Sequence, residues 1–158
     1  MSIPASIEQF VKANGVPFTP IHHRVAFTAQ EEAAAAHVPG REWAKTVVCF
    51  ADDKPLLAVL PAHHQVDVAA LRALTGAKTV RVATEREFAG LYPDCETGAM
   101  APLGPLYGQP VYMDDGLRKD VEIVFHAGTH VDAIRMRLAD FVRLVRPLTG
   151  RFSAPMHH

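Results

Sequence analysis

The stretch that decides the fold is AKTVVCFADDKPLLAVLP, residues 44–61. It holds two runs of β-branched and aliphatic residues, separated by Asp52, Asp53 and Lys54. That separation has the length and the chemistry of a hairpin connection. We therefore expect two neighbouring strands in the core sheet.

The sequence on either side of this hairpin mixes helix and strand signals. Helices are predicted over 7–14 before Gly15, from the Thr28–Glu31 capping box through the alanines that follow, over 68–74 after Asp67, after the Thr84–Glu87 capping box, and over 138–145. Further strands are predicted over 18–23, 79–83, 110–114, 121–127 and 133–136. Residues 91–108 are rich in Gly and Pro without periodicity, which indicates an ordered loop. Adjacent strands without a regular βαβ repeat predict the α+β class, in one domain spanning 1–158.

Composition and charge argue against a membrane protein and against a protein that binds nucleic acid along its backbone. The chain has 158 residues, of which 49% are hydrophobic and 21% charged, as in an ordinary globular domain. Its net charge of −1 argues against broad binding along the backbone of DNA or RNA. It does not argue against binding of one nucleotide at an RNA end. The arginines from Arg135 onward are more typical of a solvated helix face than of a phosphate track. The sequence shows no signal peptide and no long apolar run, and Cys49 and Cys95 do not form a CxxC pair. We therefore expect a cytoplasmic protein with no membrane partner.

Lys45 is the first candidate functional residue, because it opens an otherwise almost wholly apolar strand. In one interpretation it lies at the strand end and extends its ammonium into solvent. In the other, the cation lies at the mouth of a pocket, where it binds a phosphate or polarises a carbonyl. The pattern alone leaves both open.

The second candidate is the segment GAMAPLG, residues 98–104, inside the predicted loop. Gly98 allows backbone to approach a ligand closely, and Pro102 fixes the bend. Backbone N–H groups along such a turn can bind an ester oxygen as negative charge develops on it. A tight connection without function is the alternative interpretation.

Histidines form the third candidate group, above all His126 and His130. Their spacing would suit a zinc site on a helix, but Gly128 interrupts the segment and a strand precedes it. We therefore expect no metal, and interpret the pair as polar walls of a pocket. The tail His157-His158 is either native or an added remnant.

Other catalytic chemistries have little support. The serines Ser2, Ser6 and Ser153 lie near the termini, and neither cysteine has the surroundings of a nucleophile. No phosphate-binding or dinucleotide-binding glycine motif is present, so no cofactor is expected.

The order of several segments carries a family resemblance: AKTVV, then PLLAVLPAHHQVDVAALRALTGA, then CETGAMAPLG, then VEIVFHAGTHVDAIRM. These segments, in this order and approximate spacing, resemble the YbaK/ProX family, also called the prolyl-tRNA synthetase associated domain. The resemblance covers nearly the whole chain. The resemblance implies a closed, barrel-like, mixed and largely antiparallel sheet flanked by helices.

The resemblance also implies an activity. It points to a trans-acting deacylase that hydrolyses the ester of mischarged tRNA, with water attacking under assistance from a ribose hydroxyl of the substrate. Lys45 would lie beside the terminal adenosine or its phosphate, and Gly98 would support the amino-acid carbonyl. The resemblance implies further substrate-binding residues: His23, Phe27, Thr28, Ala99, Met100, Pro102, His126, Gly128 and His130.

The expected partner is the 3′-terminal aminoacyl-adenosine of a mischarged tRNA, with a synthetase as a further partner. The amino acid should be small, with Ala, Ser, Thr and Cys not separable from sequence. A non-catalytic module of the same fold, which binds a nucleotide or an aminoacyl ester without turnover, is the alternative function.

Overall fold

The computed structural model describes residues 3–22 and 43–156, and within them it contains helices and strands in a mixed order. The α-helices there are Ala5–Ala13 (α1), Val68–Thr75 (α2), Glu85–Phe88 (α3), Gly104–Tyr107 (α4) and Leu138–Val145 (α5), with a 3-10 turn at Asp115–Leu117. The strands there are Thr19–His22 (β1), Ala44–Ala51 (β2), Lys54–Pro61 (β3), His64–Val66 (β4), Val80–Val82 (β5), Val111–Asp114 (β6), Glu122–Thr129 (β7), Asp132–Arg137 (β8), Leu148–Gly150 (β9) and Ser153–Pro155 (β10). The predicted α+β class is confirmed.

The predicted hairpin is present, with β2 and β3 paired antiparallel over their whole lengths. Its connection is the two-residue turn Asp52–Asp53, and both residues have positive φ, at 47° and 67°. Two left-handed residues match the twist of the paired strands, and short polar side chains tolerate that conformation. Lys54 is the first residue of β3 and not part of the turn.

The strands of the described residues fall into three sheets. They are a five-stranded sheet of order β5-β2-β3-β6-β9, a three-stranded sheet β1-β8-β7 and a two-stranded sheet β10-β4. The pairs β3–β6 and β6–β9 are parallel and the other pairs antiparallel. A parallel bridge between Trp43 and Val124 brings β7 beside the start of β2. The mixed, largely antiparallel pairing agrees with expectation, but no closed barrel is found among these strands, so barrel-like closure is not confirmed.

The helix signals that the sequence carried are mostly present in the structure. Asp67 caps α2 by accepting the Ala70 N–H at 3.0 Å, and Gly76 ends that helix at φ 73°. The capping box of Thr84 and Glu87 opens α3 with both of its reciprocal hydrogen bonds. The helix predicted after Thr28 lies outside the described residues.

Five short elements were not predicted from the sequence, among them the 3-10 turn at Asp115–Leu117. Residues 91–108 are not wholly loop, because α4 forms there with a proline in its first turn and Gly108 at φ 68° after its end. The three-residue strands β4, β9 and β10 were also not expected. Elements this short carry no periodicity, and these strands exist because they pair with distant segments.

The core lies on both faces of the β2–β3 hairpin. Leu57 and Val59 face the larger cluster, whereas Leu56, Ala58 and Leu60 face a second cluster. This alternation follows from the two-residue period of a strand. The larger cluster also contains the loop residues Met100, Ala101 and Leu103, so the loop that follows Gly98 is anchored in the core. Among the described helices, none has both the length and the apolar character needed to cross a membrane.

Candidate active site

The Gly98 loop lies along the last residues of β7. The Gly128 N–H donates to the Ala99 carbonyl at 2.9 Å, and the Glu96 N–H donates to the Gly128 carbonyl at 2.7 Å. The register of β7 against β8 shifts after His126, which marks a bulge. Gly98 and Gly128 have φ of 87° and 93°, values that favour glycine. The two glycine segments named by the sequence analysis are therefore paired with each other.

His130 holds this loop from the other side. Its Nε2 lies 2.8 Å from the Thr97 carbonyl oxygen, and its backbone N–H donates to Glu96 Oε1 at 2.8 Å. A carbonyl oxygen only accepts, so the proton of the neutral imidazole is on Nε2 and Nδ1 remains an acceptor. The ring thus presents a fixed tautomer next to Gly98.

The turn between β7 and β8 orients His130. The Thr129 hydroxyl donates to Asp132 Oδ2 at 2.6 Å and accepts the Asp132 N–H at 3.0 Å. His22 Nδ1 of β1 lies 2.9 Å from Asp132 Oδ1. Burial raises the pKa of Asp132, but the hydrogen bonds from Thr129 and His22 lower it by more, so the carboxyl titrates below its usual range. Asp132 is therefore an ionised anchor for the turn that carries His130.

Aromatic rings connect His130 with the start of β2. The His126 ring centroid lies 5.9 Å from that of His130 and 5.5 Å from that of Trp43. Trp43 and Lys45 are two residues apart on an extended segment, so their side chains project from the same face of the sheet. We call the series Gly98, His130, His126, Trp43 and Lys45 the ring path. It runs from the glycine loop through the buried Trp43 to the start of β2, and so relates the two residues on which the sequence interpretation placed most weight.

Lys45 is half-buried in the structure, on the second residue of β2. Burial lowers the pKa of its ammonium, because desolvation disfavours the charged form. An ammonium that extended freely into water would not be desolvated in this way. The environment is that of a cation held against the protein surface.

The remaining candidate residues have different surroundings. Ala99, Met100 and Pro102 are buried, and Met100 is only 4% exposed within the larger core cluster. A pocket role for these three stays a prediction, and what the structure shows is that they anchor the loop. His23, Phe27 and Thr28 lie outside the described residues.

Three residues of this region were missed by the sequence analysis. Trp43 carried a usable signal, since it stands two residues before Lys45 at strand spacing. Glu96 and Asp132 carried none, because their partners His130 and His22 are distant in sequence. Ser153 was also set aside at the sequence level, yet its hydroxyl lies 2.8 Å from His64 Nδ1. Its position near the terminus was a poor reason to set it aside, because β10 pairs with β4.

The fold and the ring path define a class of protein: an α+β protein in which a glycine loop, two histidines and a half-buried lysine follow one another along the ring path. The sequence model of the aminoacyl-tRNA editing domain matches residues 23–144. The chain therefore belongs to the aminoacyl-tRNA editing domain family.

Solved structures share this fold. The hypothetical protein APE2540 superposes with a TM-score of 0.84 at 19% identity, over 94% of this chain and 99% of that one. A proposed trans-editing enzyme for prolyl tRNA synthetase superposes with a TM-score of 0.83 at 20% identity, over 97% of this chain and 99% of that one. A proposed signal transduction protein from Marinobacter aquaeolei VT8 gives a TM-score of 0.76 at 17% identity, over 97% of this chain but 31% of that one. A search of curated protein sequences gives no significant match.

Proposed function

We propose that this chain is a trans-acting aminoacyl-tRNA deacylase, which hydrolyses the ester between a wrongly attached small amino acid and the terminal adenosine of tRNA. The proposal is supported by membership of the editing-domain family. It is carried by one observation, namely the ring path between Gly98 and Lys45. In the cell, the protein would act as a free-standing cytoplasmic enzyme. It would use no cofactor and would act on tRNA after its release by a synthetase.

Each end of the ring path has a proposed task. Lys45, half-buried on the second residue of β2, presents a cation to the terminal adenosine or its phosphate. Gly98 lets the backbone come close to the carbonyl of the ester, where N–H groups stabilise the developing oxyanion. The Ala99 N–H is not that donor, because it is bonded to the Glu96 carbonyl at 3.0 Å.

The proposed reaction is a simple hydrolysis. Water adds to the carbonyl carbon and loses a proton, with the neighbouring ribose hydroxyl assisting. The bond from that carbon to the ribose oxygen then breaks, and the ribose oxygen takes up a proton. The products are the free amino acid and a tRNA with an intact terminal ribose.

The substrate should be an amino acid that a synthetase pocket cannot reject. One methylene is worth only about 1–3 kcal/mol in a hydrophobic pocket, so a second site of different shape is needed to remove the error. Alanyl, seryl, threonyl and cysteinyl esters are the candidates. His130, with Nδ1 as an acceptor, is the polar wall of the proposed pocket.

The test is a panel of tRNAs charged with Ala, Ser, Thr or Cys, from which released amino acid is measured in single turnover. We expect the wild-type protein to release at least one amino acid, and Lys45→Ala to cut that rate by roughly a hundredfold or more, as for loss of a major electrostatic contact. Lys45→Arg should rescue poorly, because a planar guanidinium does not reproduce a compact ammonium. Lys54→Ala is the matched control, since it removes an exposed lysine from the far end of the same hairpin.

Two outcomes would contradict the proposal. A near wild-type rate in folded Lys45→Ala would remove the lysine from the reaction. Stoichiometric binding of charged tRNA without release of amino acid would assign the chain to the non-catalytic binding module instead.

A further inference from the structure

A cavity of about 590 Å³ opens at the end of β3, beside Pro61. It lies outside the ring path and is lined by Pro61, His63, His64, Gly116, Lys119 and Asp120, among others. This volume falls in the range of small-ligand sites and suits one nucleotide.

The wall of the cavity is rigidly built. Asp114, only 3% exposed, accepts the Phe152 N–H at 2.8 Å and the Gly116 N–H at 2.9 Å. A Cβ at Gly116 would lie 2.8 Å from Asp114 Oδ2 and 3.1 Å from Pro61 Cγ. The backbone at Gly116 therefore packs tightly against the end of β3, and its position is fixed.

The polar groups of the cavity are mainly nitrogen donors. His63 and His64 meet edge to face with ring centroids 4.4 Å apart, and the Ser153 hydroxyl holds His64 at Nδ1. Lys119 adds an exposed ammonium, and Asp120 contributes an acidic group. Imidazole rings offer both a face on which a base can stack and N–H donors for a phosphate.

The cavity is next to the proposed active site. Lys45 pairs with Leu60 across β2 and β3, and Pro61, the next residue, lines the cavity. The pKa of His64 is lowered by burial, by the charge of His63 and by that of Lys45, against an opposing effect of Asp114. Lys45 is therefore within electrostatic range of the cavity.

We propose that this cavity binds the nucleotide that precedes the terminal adenosine of the substrate, with Lys119 on its phosphodiester and His63 against its base. The inference rests on the proposed function, since it extends the path of the same RNA strand from Lys45. It also explains how a nearly neutral protein can act on an RNA, because the protein would contact the strand at one nucleotide and not along its length.

The first test measures binding without turnover. The probe is an uncharged, fluorescently labelled hairpin RNA ending in single-stranded CCA, titrated by anisotropy with wild-type protein, Lys119→Gln, His63→Ala and the control Lys54→Gln. We expect Lys119→Gln to weaken binding roughly tenfold, as for one charge-assisted hydrogen bond. Its log–log salt slope should fall by about 1. His63→Ala should weaken binding without changing that slope, and Lys54→Gln should match wild type.

The second test separates this subsite from the ester site. Lys119→Gln should lower kcat/KM for alanyl, seryl, threonyl or cysteinyl hairpin RNA and leave the corresponding 3′-aminoacyl-adenosine unaffected, because that minimal ester lacks the preceding nucleotide. Competition by cytidine 5′-monophosphate, but not by inorganic phosphate at equal concentration, would place a nucleotide in the cavity.

The failures of the two proposals are distinguishable. Equal RNA affinity of wild-type protein and both cavity variants would overturn the subsite whether or not the protein hydrolyses esters. Equal losses on hairpin and adenosine esters would also overturn it, since a subsite for the preceding nucleotide affects only the longer substrate. Absence of turnover with any ester, together with the expected loss of RNA affinity, would overturn the deacylase and support the RNA site.

Discussion

Gly98 and Gly128 share a left-handed backbone conformation but differ in the space around them. Their φ values are 87° and 93°. A Cβ at Gly98 would make an ordinary contact, 3.5 Å from His130 Cε1, whereas a Cβ at Gly128 would lie 2.6 Å from Pro4 Cγ. The same substitution at the two sites therefore separates backbone strain from steric collision.

Gly98→Ala should lower the free energy of unfolding by about 1–2 kcal/mol, because an L residue is strained there. Its main effect should be on the proposed deacylation, where backbone must approach the ester. Gly128→Ala should cost about 2–5 kcal/mol, since overpacking against α1 adds to the same strain. Urea denaturation and single-turnover deacylation of both variants test this. A stability loss at Gly98 as large as that at Gly128 would show that the loop has less space than the structure gives it.

His130→Ala should slow deacylation by between about 10-fold and 100-fold, because it removes the hydrogen bond that holds Thr97 next to Gly98. His130→Gln should recover part of the rate, since its side-chain amide can donate to the same carbonyl. The readout is the single-turnover rate, with circular dichroism to confirm folding. If Ala and Gln variants lose activity equally, His130 acts through Nδ1 and not by positioning the loop.

The thiols of Cys49 and Cys95 should be unreactive in the folded protein. Burial raises the pKa of Cys49 to about 11. Burial also raises the pKa of Cys95, whose Sγ lies 3.3 Å from the Tyr107 hydroxyl. Neither thiol is ionised at neutral pH, so labelling of the folded protein by a disulfide reagent should be slow and should accelerate in urea. Alanine at both positions should leave deacylation within a few-fold of wild type. Fast labelling of folded protein at pH 7 would show that a thiolate is present.

Stability should fall in acid in part through Glu87. Its hydrogen bonds from Arg81, the largest cause, and from the Thr84 N–H lower its pKa to about 2, from an ordinary value of 4.5. The carboxylate therefore stabilises the fold fully above its unfolded-state pKa, and this contribution is lost as pH falls from about 4.5 through about 2. Glu87→Gln should flatten the dependence of the urea midpoint on pH in that window, with Glu85→Gln as a control for the loss of one charge. Parallel profiles for wild type and Glu87→Gln would contradict the assignment.

The parts of the fold that the sequence predicted are those encoded locally. The β2–β3 hairpin carries its own turn residues, and α2 and α3 carry their own caps, so neighbouring residues were sufficient. The strands β9 and β10 could not be found in this way, since each exists through pairing with a distant segment.

The same distinction applies to the candidate site. Lys45, Gly98 and His130 could be selected because their residue types are unusual in their local patterns. That Trp43 and His126 connect them is a tertiary fact, which depends on β7 lying beside the start of β2. The cavity at His63 was not predicted for the same reason, because its walls come from two separate connections.

The contact between α1 and Gly128 has a consequence for hydrogen exchange. Pro4 and Ile7 occupy the space beside Gly128, and α1 is a nine-residue helix with Ile7 and Val11 as its buried residues. A helix of that length is not stable alone, so it detaches more readily than the sheets unfold. Detachment frees the β7 bulge and with it the Gly128 amide, which donates to Ala99. The amides of α1 and of Gly128 should therefore exchange as one sub-global unit, and warming that opens this unit would disable the glycine loop while the β2–β3 hairpin is still protected.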